Sequence, residues 1–270
     1  MKQKANYLYL TNYLEERQSE GMYSFTFSDL LKNFSVRREA LKAALNRLVR
    51  KGRIVSARKG FYVIVPPEYS QRGILPPSLF INDLMDFLSK PYYIGLLSAA
   101  AMHGAGHQQP QEFYVITVKP AMRPITCKDI KINFNVKSSL FIPGLEKRKT
   151  DTGFIKVSNP ELTALDLIQF ENRIGGLDRV VTLLDELAEK FNRERLQQLL
   201  STNISTAYLQ RFGFILDQIL ELDDLAQAVF ENLKKRNRFR VPLKTSTPKS
   251  GFPVNGRWKI IENANLESEL

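Results

Sequence analysis

Apolar residues recur at helical spacing at Tyr7, Leu10 and Leu14, which predicts a helix over residues 4–19, and Gly21 ends it. Residues 22–27 are short and aromatic, suited to a strand. Ser28 fits the N-cap of a short helix reaching Phe34, and Ser35 fits the cap of a second helix running to Lys51, where Gly52 stops it. Only one or two residues separate these helices, the tight turn of a helix-turn-helix. Residues 53–56 and 61–65 then predict two strands joined by a tip at 57–60 that carries Arg58 and Lys59. Helix, strand, helix, turn, helix, hairpin is the order of a winged helix.

On a wheel of about 100° per residue, Leu41, Ala44, Leu45 and Leu48 share one face of the second of those helices. Glu39, Ala43, Asn46 and Arg50 point the other way, flanked by Lys42 and Arg47. Such a face suits the major groove, because an amide can pair with a base edge while long cations hold phosphates. The candidate DNA contacts are therefore Arg37, Arg38, Lys42, Asn46, Arg47, Arg50, Arg58 and Lys59.

Pro66-Pro67 and Pro76-Pro77 bracket a stretch that continues neither helix nor ladder, which puts a linker there and divides the chain into residues 1–70 and 71–270. Beyond it the pattern predicts helices at 79–89 and 94–104. Strands follow at 112–119, 130–137 and 154–157, then helices at 161–171, 177–191, 193–200, 206–220 and 223–235. The class is α+β: a winged helix-turn-helix followed by a larger α+β domain with a small sheet and a C-terminal helical array.

Charge sharpens this division. Residues 1–65 hold 13 Lys and Arg against 5 Asp and Glu, most of the chain's net charge of +11. A second run, 234–259, holds nine cations and no acid, which leaves the remainder of the 270-residue chain net negative. Two basic regions flanking an acidic body point to a polyanionic partner. From the second run Lys234, Lys235, Arg236, Arg238, Arg240 and Arg257 form a candidate working surface. No apolar stretch approaches the roughly 20 residues a bilayer needs. The lone Cys127 allows no intramolecular disulfide, as expected of a cytoplasmic protein.

Candidate catalytic chemistry is thin. His103 and His107 are spaced i to i+4 as in a metal pair, but Gly104 and Gly106 interrupt the helix, and a helix-end histidine bonding to backbone is the simpler reading. Asp129 and Lys131 have the D-x-K spacing of metal-dependent nucleases without an upstream partner. There is no Gly-rich phosphate loop and no G-x-S-x-G motif. The reading is of a non-enzymatic protein with no metal or cofactor.

Several segments, taken in order, resemble the AbiEi antitoxin family of type IV toxin–antitoxin systems, which act in abortive infection and phage defence. They are Tyr93-Ile94-Gly95-Leu96-Leu97-Ser98-Ala99-Ala100-Ala101-Met102-His103-Gly104, the strand Val115-Ile116-Thr117, Ser158-Asn159-Pro160-Glu161-Leu162-Thr163-Ala164-Leu165-Asp166-Leu167, Gln210-Arg211-Phe212-Gly213-Phe214 and Asn255-Gly256-Arg257-Trp258. The resemblance implies a winged-helix repressor that binds inverted repeats of double-stranded DNA in its own promoter, a monomer in solution with two copies on the operator. It further implies that the C-terminal domain counteracts a cognate nucleotidyltransferase toxin, with or without direct contact. A stand-alone winged-helix transcription regulator is the alternative within this class, and the nuclease the alternative outside it.

Overall fold

The computed structural model describes residues 2–106, 112–140 and 142–266. The chain forms two compact units. The first comprises residues 1–93, 111–140 and 147–156, and the second residues 94–110, 141–146 and 157–270.

The first unit opens with α1 (Lys2–Ser19), β1 (Ser24–Thr26), α2 (Phe27–Asn33), α3 (Arg38–Arg50), β2 (Ile54–Arg58) and β3 (Phe61–Ile64). The three strands form an antiparallel sheet in the order β1-β3-β2, with Ser24 opposite Val63 and Val55 opposite the same Val63. This is the element order expected of a winged helix. Its core gathers Leu10 and Leu14 of α1, Phe25, Leu30, Leu41, Ala44, Leu45 and Leu48 of α3, and Ile54 and Ile64. The predicted apolar face of α3 is thus the buried one.

Two caps differ from expectation. Helix α2 starts two residues early because Thr26, not Ser28, caps it: Thr26 Oγ1 accepts the Asp29 amide at 3.1 Å, and the Asp29 carboxylate accepts the Thr26 amide at 2.9 Å. Helix α3 starts at Arg38 with Arg37 as an N-cap that makes no side-chain bond, so four residues, 34–37, separate the helices.

The proline-bracketed stretch is packed rather than loose. It forms 3-10 turns at Pro67–Tyr69 and Pro77–Leu79 and buries Ile74, Leu75 and Pro77. Then come α4 (Ile81–Phe87) and β4 (Tyr92–Ile94), before α5 (Leu96–Met102). The strands β5 (Glu112–Val118), β6 (Ile125–Cys127), β7 (Ile130–Lys137), β8 (Leu145–Thr150) and β9 (Gly153–Ser158) complete a six-stranded mixed sheet in the order β6-β7-β5-β4-β9-β8. β5 and β7 are parallel, Glu112 facing Lys131 and Val118 facing Lys137, while β6 runs antiparallel to β7. Three of these strands exceed the sequence expectation. β4 and β6 have three residues each, and β8 is Leu-Glu-Lys-Arg-Lys-Thr with most side chains exposed, so neither length nor alternation announces them.

The second unit is the expected helical array: α5, α6 (Pro160–Gln169), α7 (Leu177–Ala188), α8 (Arg193–Leu200), α9 (Thr206–Gln218) and α10 (Asp223–Lys234), closed by short parallel strands β10 (Val241–Pro242) and β11 (Ile260–Ile261). α6 is its centre. Asn159 caps it by accepting the Leu162 amide at 2.9 Å, Pro160 opens its first turn, and residues 160–168 are all buried. Against it lies a buried ion pair, Arg211 to Glu171, each only 3% exposed. Arg211 Nε also donates to the Leu243 carbonyl at 2.8 Å and Thr245 donates to Glu171 at 2.6 Å, so the pair fastens the segment after α10.

Two substitutions test this packing, read through Trp258, the chain's one tryptophan. In an ordinary helix Gly→Ala stabilises by about 0.5–1 kcal/mol. At Gly213 of α9 an added Cβ would run into the Trp258 ring, so Gly213→Ala should instead destabilise by roughly 1–3 kcal/mol and redden the Trp258 emission. Arg211→Met leaves Glu171 buried without its partner and should cost about 3–5 kcal/mol in urea unfolding.

Candidate nucleic-acid interface

Helix α3 turns its polar side to solvent because Leu41, Ala44, Leu45 and Leu48 are committed to the core. Arg37, Arg38, Glu39, Lys42, Ala43, Asn46, Arg47 and Arg50 are exposed. Arg38 lies with its guanidinium 5.5 Å from the Phe27 ring centroid, a cation–π contact that orients it at the start of the helix. Lys42, Arg47, Arg50 and Lys59 make no ion pair among the described residues. Their charges reinforce one another, a potential that an anion would relieve. At the edge, Arg53 faces Glu15 at 4.0 Å.

The hairpin tip is tighter than expected. Arg58 pairs with Phe61 and Ala57 is buried, leaving a turn of Lys59 and Gly60, with Gly60 at φ +87°. A register shift between Ser56 and Arg58 is a β-bulge. Lys59 is therefore exposed at the tip, and Arg58 is half-buried at its base.

The run 234–259 is acid-free in sequence but not in space, which corrects its reading as nine uncompensated cations. Arg257 donates to Asp217 at 2.8 Å and to Gln227 at 2.8 Å, and its guanidinium lies 4.9 Å from the Phe230 ring centroid. Lys234 pairs with Glu231 at 2.8 Å and Lys244 with Asp178 at 3.0 Å. Arg236 donates to the carbonyls of Ile204, Leu200 and Thr202, capping the end of α8 and the turn after it. Arg238 donates to the Arg257 carbonyl at 2.7 Å. Lys235, Arg240, Lys249 and Lys259 remain exposed without an ion pair among the described residues.

The candidate chemical groups lie elsewhere and have structural work. His103 ends α5, buried, with Nε2 donating to the Ser158 carbonyl at 2.7 Å, as the simpler reading expected. Ser158 Oγ and Thr163 Oγ1 share a hydrogen bond at 2.7 Å, and Asp166 is buried in α6. His107 lies outside the described residues. Asp129 is exposed in the turn between β6 and β7, while Lys131 is held by Glu112 at 2.8 Å beside Asn133 and Tyr114. Those donors keep the Glu112 carboxyl below its usual range, Lys131 foremost. Burial pushes the Cys127 thiol up to about 11, away from nucleophilic use. Among the described residues no group of three or more His, Cys, Asp or Glu is placed to hold a metal ion. No helix among them is long and apolar enough to cross a membrane.

Residues 93–218 match the family model for the AbiEi antitoxin C-terminal domain. The chain is also similar to a crystal structure of the RV2827C protein from Mycobacterium tuberculosis, with a TM-score of 0.66 at 16% sequence identity, over 93% of this chain and 90% of that one. At that identity the likeness shows a shared fold. No curated protein matches the chain.

The matched segment contains Glu161, whose carboxylate accepts the Asn192 amide at 2.6 Å and Arg195 Nε at 3.2 Å. Burial raises its pKa against the pull of those two donors. A carboxyl raised in the folded state favours folding below the unfolded value near 4.5 and loses that contribution as pH climbs through the folded value. Glu161→Gln, which keeps an acceptor for Asn192, should therefore flatten the fall in urea midpoint between about pH 4 and pH 7. Glu161→Ala should lower the midpoint at every pH, because the Asn192 amide loses its acceptor.

Proposed function

We propose that this chain, whose residues 93–218 form an AbiEi antitoxin C-terminal domain, is a DNA-binding antitoxin that represses its own operon and counteracts a nucleotidyltransferase toxin. The observation that carries the reading is the coincidence, in one chain, of that domain with the exposed face of α3, where Asn46 is bordered by Lys42, Arg47 and Arg50, none of which makes an ion pair among the described residues. In this reading α3 enters the major groove and Asn46 accepts and donates to a base edge. Arg37, Arg38, Lys42, Arg47 and Arg50 meet phosphates or guanine edges, and Lys59, with Arg58 behind it, meets the flanking backbone. Two monomers would occupy the inverted repeat. The protein would work in the cytoplasm, where operator and toxin are. Antitoxin action belongs to the second unit and its basic surface. A regulator without a toxin is the second reading, and it shares the entire DNA-binding argument.

Because the first compact unit includes residues 111–140 and 147–156, truncation near residue 70 would cut through it. Substitutions in the full chain are the cleaner test. Arg58→Ala with Lys59→Ala should weaken binding to all duplexes and reduce the slope of log K against log salt by roughly 0.9 per lost phosphate contact. Asn46→Ala should cost about 1–3 kcal/mol on the promoter sequence and little on unrelated duplex. A titration of the promoter that finds no binding at low salt would refute the repressor role. The reading contains no catalytic step, so plasmid and single-stranded DNA should stay intact in Mg²⁺ or Mn²⁺. Cleavage that vanishes in Asp129→Ala would replace it with the nuclease.

A further inference from the structure

The ends of the basic run lie side by side. Val241 pairs with Ile260 and Pro242 with Ile261 in parallel register, and the Val241 amide donates to the Lys259 carbonyl at 3.0 Å. The alignment persists before the strands: Gln210 Nε2 donates to the carbonyls of both Phe239 (2.8 Å) and Trp258 (2.7 Å), and Arg238 reaches the Arg257 carbonyl. Arg238 therefore neighbours Arg257, Phe239 neighbours Trp258, and Arg240 neighbours Lys259. The first cation pair is spent on Asp217, on carbonyls and on the Phe230 ring. The second pair, Arg240 and Lys259, is exposed and has no ion pair among the described residues. Phe239, which precedes Arg240 in the chain, is 74% exposed, the most exposed large apolar side chain described.

A bare phenyl ring next to adjacent like charges is unfavourable on two counts, each relieved by a different part of one ligand. The ring wants a flat apolar face and the cations want phosphate. A folded protein partner would have to bury Arg240 and Lys259 against carboxylates to reach the ring. A base-paired duplex hides its base faces and would have to unstack at a cost of a few kcal/mol per step. A single strand offers unstacked bases and a continuous line of phosphates at once. We propose that Phe239, Arg240 and Lys259 form a binding site for single-stranded RNA, Phe239 stacking on a base while Arg240 and Lys259 hold the phosphates beside it. This site goes beyond the repressor and antitoxin reading, and the single-strand titration that reads it needs neither a toxin nor an operator.

The test uses the full chain carrying Arg38→Ala, Lys42→Ala, Arg47→Ala, Arg50→Ala, Arg58→Ala and Lys59→Ala, which strips most of the cations from α3 and the wing. A fluorescent single-stranded RNA of mixed sequence and about 12 nucleotides is titrated by anisotropy, a length within the site sizes of single-strand binders. Binding should be salt-dependent. Phe239→Ala should weaken it by about 5- to 150-fold, the loss of one stacked base, and Phe239→Trp should retain it. Arg240→Ala with Lys259→Ala should reduce the salt slope by roughly 1.4, at about 0.7 per contact on a single strand. With α3 and the wing intact, Phe239→Ala should leave promoter duplex affinity unchanged, and unaltered Trp258 emission verifies that each variant keeps its fold. The site is refuted if the parent binds no single strand at low salt, or if Phe239→Ala binds it as tightly as the parent. It is also refuted if Phe239→Ala loses protection against the toxin while single-strand affinity stays the same, which would make Phe239 a protein contact.

Discussion

Trp258 has no place to sit unless α9 lacks a side chain at position 213, and much of the second unit depends on that fit. Gln210, Gly213 and Asp217 fall at i, i+3 and i+7, along one face of α9. Gly213 admits the indole ring, Asp217 accepts the indole N–H at 2.7 Å, and Gln210 binds the carbonyls of Phe239 and Trp258. Three positions on one helix thus grip a returning segment through its ring, its ring nitrogen and its backbone. With Arg211 fastening Leu243 and Thr245 tied to Glu171, the long stretch after α10 is held by buried contacts as well as by the short β10–β11 pairing. The cations between these anchors are consequently fixed in place relative to the helices.

The same anchors sort those cations by purpose. Asp217 is buried and already bonded to Trp258, so it can compensate Arg257 strongly; Arg236 replaces water at the end of α8, where free carbonyls favour a cation. Neither is available to a partner without loss of structure. On α3 the situation is reversed, because Arg47 and Arg50 have neither carboxylate nor carbonyl to satisfy among the described residues. Two basic stretches of sequence therefore yield two different electrostatic surfaces, and the denser one is the more fully spent. One is broad and unspent, and the other is reduced to a few residues around Phe239.

Elements with strong periodicity were legible from residue types alone. The buried face of α3, the helices α6 to α10 and the strands β5, β7 and β9 follow from apolar spacing, and Asn159 and Asn192 cap the starts of α6 and α8. What escaped was local chemistry in competition and partners distant in sequence. Thr26 outcompetes Ser28 as a cap because Asp29 can complete a reciprocal pair only with Thr26. β8 is a strand with almost no apolar signal, recruited by β9 across a two-residue turn. The acid-free run could not reveal Asp217, Asp178 or Glu231, since counter-charges approach in space from α9, α7 and α10. Phe239 gave no signal either, because a phenylalanine in a basic run looks the same whether its ring is buried or bare.

The buried polar residues of the segment that matches the family model are, physically, the ones least able to contact a partner. His103, Ser158, Asn159, Glu161, Thr163, Asp166 and Arg211 are all buried, and those whose bonds are described cap a helix, bond to backbone or to one another, or pair with an opposite charge inside the fold. A motif built from such residues records the requirements of a fold, and a substitution within it alters activity by altering stability. Surface residues answer to no such constraint: exchanging Asn46 or Arg240 leaves the core intact and changes only what the surface can hold. The surface can therefore change what it holds while the matching segment stays recognisable. Under the proposed reading, specificity lies on the exposed side of α3 and around Phe239, outside the segment that matches the family model.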